Sequence, residues 1–134
     1  MATYFGSSIN EIPTIVLPAG EKLEGARGIA LAIKDGAVVK PAAGAHVIGL
    51  ALIETDETVE KGADVDIQVK DIGKWVAGEE ITVGMELAAD ADGKAVAAQA
   101  GNFIVGVALS SAEKAGTWIR VQIIKAGYKP AASK

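Results

Sequence analysis

The stretch DGAVVKPAAGAHVIGLAL, Asp35 to Leu52, returns as DGKAVAAQAGNFIVGVAL, Asp92 to Leu109, with every residue displaced by 57 positions (35 to 92). A chain of 134 residues that states one pattern twice has room for two copies of a short unit and little more. A unit of roughly 55 residues lies near the size at which a hydrophobic core becomes marginal, so two copies are expected to bury their apolar faces together in one domain.

Each copy has the same internal order. It starts from a Gly-Glu turn, in AGEK from Ala19 and AGEE from Ala77, though the register slips slightly in this upstream part. A short apolar run leads to Asp35-Gly36 or Asp92-Gly93, the chain's strongest hairpin signals, because a two-residue turn needs positive φ and Asp and Gly tolerate it. An apolar strand with a central glycine follows, Gly49 or Gly106, where a bulge or sharp bend is expected. A polar loop then runs into an alternating strand. In VDIQVK, Val65, Ile67 and Val69 face one way; in TWIRVQII, Ile119, Val121 and Ile123 do, leaving Trp118, Arg120 and Gln122 outward.

Composition agrees with sheet. Of the apolar half of the chain 25 residues are Ala, so the core falls to 14 Ile, 13 Val and 7 Leu, a β-branched mixture. Sixteen Gly and four Pro cut the chain into strand-length runs. The one helical signal is SSAEKAG, Ser110 to Gly116, with a capping box at Ser110 and Glu113 and room for a single turn. The expected fold is all-β with little helix: a small barrel or sandwich over residues 19–125, built from two related half-units at about 19–70 and 77–125.

Residues 1–18 and 126–134 lie outside the repeat. The first segment holds Tyr4, Phe5, Ile9, Ile12, Ile15 and Val16, too apolar for a solvated tail and too irregular for a core strand, and reads as an extended arm that docks elsewhere. The second, with its lysines, Pro130 and small residues, reads as a flexible tail. A net charge of -4 argues against nucleic acid as a partner. No apolar run reaches membrane-spanning length and the first residues do not resemble a secretion signal, so synthesis in the cytoplasm is expected, with no membrane partner. Without cysteine there is no disulfide or thiolate metal site, and added stability would come from association.

The search for chemistry yields no catalytic, cofactor or metal site. His46 is the sole histidine, and its repeat counterpart is Phe103, so the position reads as packing or rim. DADG, Asp90 to Gly93, fails as a calcium loop because Lys94 and Gly101 stand where oxygen ligands belong. The acidic run with Glu54, Asp56, Glu57 and Glu60 reads as a solvated loop. No phosphate-binding glycine loop is present. Trp75 and Trp118 fit a subunit interface better than a stacking platform.

The succession KLEGARGIALAIKDGAVVKPA, VIGLAL, WVAGEEITVGMELAADADGKAVAA and FIVGVALSSAEKAGTWIRVQI resembles the head decoration, or capsid cement, proteins of tailed bacteriophages, over roughly Leu17 to Ile124. The resemblance implies a β-rich protein without enzymatic activity on the outer capsid surface of the virion. It implies a homotrimer near local three-fold axes that bridges neighbouring major capsid subunits, with the N-terminal segment helping to dock it. Capsid contact is therefore assigned to Tyr4, Phe5, Ile9, Ile12 and Ile15, and the trimer seam to Trp75 and Trp118. An arm of this kind can add a strand to a neighbour's sheet, and three arms gain avidity. Neither His46 nor the acidic loop belongs to the family pattern. The alternative readings are a glycan-binding or adhesive virion surface protein using the tryptophans, and a lipoyl-type carrier, for which Lys34 and Lys94 lack the setting.

Overall fold

The computed structural model describes residues 12–53, 55 and 57–131. The first sheet contains β1 (Thr14–Pro18), β2 (Ala30–Lys34), β3 (Ala37–Val39), β4 (Gly49–Ala51) and β5 (Asp64–Gln68) in the order β1-β5-β4-β2-β3. The second contains β6 (Asp71–Val76), β7 (Glu86–Ala89), β8 (Ala95–Ala97), β9 (Gly106–Ala108) and β10 (Trp118–Ile123) in the order β6-β10-β9-β7-β8. Adding five to each strand number of the first sheet gives the second, so the repeat in sequence is a repeat in topology. Every strand pair in both sheets is antiparallel. The architecture is all-β and sandwich-like rather than a closed barrel.

In each sheet the first strand runs on to meet the third. Ala19 bridges Val38 and, in the second half, Ala77 bridges Ala95. The Gly-Glu turns explain why: the carboxylate of Glu21 accepts from the Lys40 N–H at 2.9 Å and that of Glu79 from the Ala97 N–H at 3.0 Å. Each half curls around an interior of its own. Leu23, Ile29, Leu31, Val65 and Ile67 form one cluster, whereas Trp75, Leu87, Val105, Ile119 and Val121 form another, which also takes in Ala30, Val47 and Leu50 from the first half. Those three residues and Trp75 are the apolar seam between the halves.

The central glycines have one cause in both copies. A Cβ on Gly49 would stand 2.2 Å from the Gln68 carbonyl oxygen, and one on Gly106 would stand 2.4 Å from that of Gln122. The adjacent strand passes too close for any side chain, so close backbone approach, not a bulge, fixes these positions.

Four expectations need correction. Residues 14–18 are not part of a detached arm: they form β1, paired from Thr14↔Gln68 to Pro18↔Asp64, and β1 is the counterpart of β6. Ser110–Gly116 forms no helical turn, because Ala112 bridges Ile81 and the Ser110 hydroxyl accepts from the Arg120 N–H. Asp92-Gly93 is not a two-residue turn. Asp35 and Gly36, with φ of 52° and 78°, make that turn between Lys34 and Ala37, but β7 and β8 are joined through Asp90–Lys94, where the Asp90 carboxylate accepts from the Asp92 and Lys94 N–H groups. Finally, of the tail expected over residues 126–134, residues 126–129 are not loose, and residues 132–134 lie outside the described residues. Ile104 donates to Gly127, Gly101 donates to Lys129, Lys129 donates to Asn102, and the Lys129 ammonium lies 3.0 Å from Glu86.

Candidate interaction surface

Of the five residues assigned to docking, Tyr4, Phe5 and Ile9 lie outside the described residues. Ile12 is 61% exposed just ahead of β1. Ile15 points into the first half, half-buried against its core, and this removes it from the exposed set. The reason is register: in β1 the odd positions Ile15 and Leu17 face the core, so Val16, at 55% exposure, is the strand's outward apolar residue.

The two tryptophans separate completely. Trp75 has no exposed surface and its indole N–H donates to the Gly93 carbonyl at 2.8 Å, so it is a core residue locking the Asp90–Lys94 loop in place and cannot line a subunit seam. DIGKWV reads as neither a clean alternation nor an apolar run, and Trp75 and Val76 are both buried beside an exposed Lys74, so the sequence does not give Trp75 a side. Trp118 is half-buried. Its ring sits over Gly28, where a Cβ would come within 2.2 Å, and the Arg27 guanidinium lies 5.3 Å from the ring centroid.

Trp118 forms one wall of a 310 Å³ hollow between the halves, walled otherwise by Leu52, Ile53, Ile72, Lys74 and Arg120. Leu52 and Ile72 are 44% and 55% exposed. Arg120 and Lys74 are directly opposed across β10 and β6, which puts two cationic residues on the wall of the hollow, and the Arg27 guanidinium lies over the Trp118 ring. The hollow thus has an apolar floor and cationic residues along its wall. Leu52 and Ile72 escaped sequence reading since each sits at a strand end where periodicity has lapsed.

His46 is exposed and meets the Phe103 ring edge to face at 4.6 Å between centroids. Glu57 and Glu60 are exposed, and among the described residues no group of His, Cys, Asp or Glu could hold a metal ion. Partial burial lowers the pKa of Lys125, while its ammonium donates to the Ile48 carbonyl at 3.0 Å.

Residues 18–123 match the family model of phage cement proteins. Among solved structures, the N base of head fiber gp8.5 in bacteriophage phi29 shares the fold, with a TM-score of 0.63, 20% identity, and coverage of 87% of this chain and 97% of that one. A comparison with curated proteins returned no match. The match from Pro18 in β1 to Ile123 at the end of β10 spans both halves of the repeat, and the chain belongs to the phage cement protein family.

Proposed function

We propose that this structural phage protein binds the outer surface of the expanded head as a homotrimer and bridges neighbouring major capsid subunits. The observation that carries the reading is the family match over residues 18–123. Three features support the finer assignment. Apolar residues that a monomer would hide are exposed around β1 and the hollow: Ile12, Val16, Leu52 and Ile72. Residues 1–13, with Tyr4 and Phe5, lead directly into β1, the outermost strand of its sheet, from which an extended segment can reach a neighbouring subunit. The basic, apolar hollow beside Trp118 offers a contact for a second protein chain, and Trp118 rather than Trp75 is the residue proposed for the trimer seam.

Co-sedimentation with expanded empty heads tests this. The full chain is expected to decorate heads and raise their resistance to heat. A chain lacking residues 2–11 should lose most binding yet keep its melting transition, because the deletion stops short of Thr14–Pro18 and leaves β1 intact. Equal decoration by the shortened chain would remove the arm from the mechanism, and failure of the full chain to bind would remove the capsid role itself. Light scattering checks the trimer: a mass of one 13.6 kDa chain in solution would overturn a preformed assembly.

A further inference from the structure

The two halves do not contact each other symmetrically. Gly49 and Gly106 are matched in the repeat, and their partners Leu31 and Leu87 match with them, so Ile33 corresponds to Ala89. Ala89 is 1% exposed at the seam and its carbonyl accepts from the Gly44 N–H at 2.8 Å; Ile33 is 47% exposed. Likewise Gly93 is lodged against the first half, where a Cβ would meet the Ala30 carbonyl at 2.6 Å, whereas a Cβ on its counterpart Gly36 would meet nothing within 4 Å. The second half thus docks by its hairpin end onto the first, and the equivalent end of the first half is unused. This is a head-to-tail contact, which does not close on itself and in principle accepts further units.

The receiving face of the second half is occupied by the C-terminal strap, residues 124–129. Gly44 donates its N–H to Ala89 of the other half; Gly101, 57 positions on, donates to Lys129 of the strap at 2.8 Å. Val47 is buried in the cluster of the other half. Its match Ile104 is buried with Ala88 and Ala98 and is tied to the strap on both backbone sides, its N–H donating to Gly127 at 2.7 Å and its carbonyl accepting from Ala126 at 2.9 Å. Tyr128 adds an edge-to-face contact with Phe103 at 5.5 Å. At these matched positions the strap supplies the second half with what the second half supplies to the first.

We propose that the strap is an assembly stop: it caps a face that otherwise accepts the hairpin end, centred on Ile33 and the Asp35-Gly36 turn, of a second copy of this chain. Terminal caps do this in repeat proteins, where an uncapped end continues the stack. The inference does not depend on capsid binding.

Sedimentation of a chain ending at Ile123 tests it. Its weight-average mass is expected to rise severalfold above that of the full chain at equal concentration and to grow with concentration, and Ile33→Asp in the shortened chain should return the mass to the full-length value. A shortened chain that melts cooperatively yet matches the full chain in mass overturns the proposal, as does association indifferent to Ile33→Asp. Should the shortened chain not fold, the full-length triple variant Gly127→Pro, Tyr128→Ala, Lys129→Ala decides. It removes the positive-φ turn, the ring contact and the ion pair; a mass that rises and falls again with Ile33→Asp supports the stop, and an unchanged mass overturns it.

Discussion

His46 and Phe103 occupy the same place in the two copies of the repeat, 57 positions apart, and their rings touch, edge to face, at 4.6 Å and 63°. A residue in contact with its own counterpart means that the turns at Gly44–Ala45 and Gly101–Asn102 lie side by side, and Phe103 indeed donates its N–H to Gly44. One ring is 5% exposed and the other is at the surface, so the pair is a buried anchor with a covering lid.

Their energetic weights should therefore differ. Phe103→Ala opens a cavity in the second core and is expected to cost about 3–5 kcal/mol. His46→Ala removes an exposed ring and should cost no more than about 1 kcal/mol. Urea midpoints of the two variants decide the matter, and equal losses would make the histidine a structural element in its own right.

The paired glycines give a sharper test because neither has positive φ, so the cost of a side chain there is purely one of space. Gly49→Ala and Gly106→Ala each drive a methyl group into a backbone carbonyl that cannot rotate away, and should each destabilise by about 3 kcal/mol or more. Gly62→Ala, with φ of 91° and open space around it, should cost about 1 kcal/mol from backbone strain alone. If Gly62→Ala proves the most damaging of the three, the close approach of β4 to β5 and of β9 to β10 is not the constraint.

The parts of the fold that sequence revealed were those where local signals and packing agree. Ile119, Val121 and Ile123 alternate in β10 because one face is core and the other is not, and the first Asp-Gly turn forms as its chemistry requires. Where tertiary contacts decide, the sequence was mute. β1 and β6 are counterparts, but TIVLP and DIGKWV share no pattern, since β1 packs Ile15 and Leu17 on its own half while β6 puts Gly73 and Trp75 at the seam. The capping box at Ser110 lost to a strand bridge at Ala112, and the strap looked disordered because its order is borrowed from Gly101–Val105. The surface is the least legible part, since the exposed Leu52 and Ile72 carry side chains of the core type.

The tryptophans should report separately on core and surface. Trp118→Phe leaves Trp75 as the only indole, and its emission should be blue-shifted and poorly quenched by iodide, as no part of it is exposed. Trp75→Phe should leave a redder, quenchable emitter and destabilise the fold by about 1–3 kcal/mol, from the lost volume and the lost indole hydrogen bond to the Gly93 carbonyl, which keeps the Ala30 N–H. Strong quenching of Trp75 in the folded chain would place it at the surface after all.

The same acid closes both halves, and this can be measured as additivity. Glu21 and Glu79 each accept a backbone N–H from the strand that their own half must bring back, Lys40 after β3 and Ala97 at the end of β8, so removing either carboxylate loosens one curl and leaves the other untouched. Both sites are exposed, which limits each contribution to about 1 kcal/mol. Because the two carboxylates lie in different halves and share no partner, Glu21→Ala and Glu79→Ala should sum in the double variant to within about 0.5 kcal/mol. A double variant losing far more than that sum would show that the halves close cooperatively, each holding the other's edge strands in place, and would contradict the separate cores built around Leu23 and Trp75.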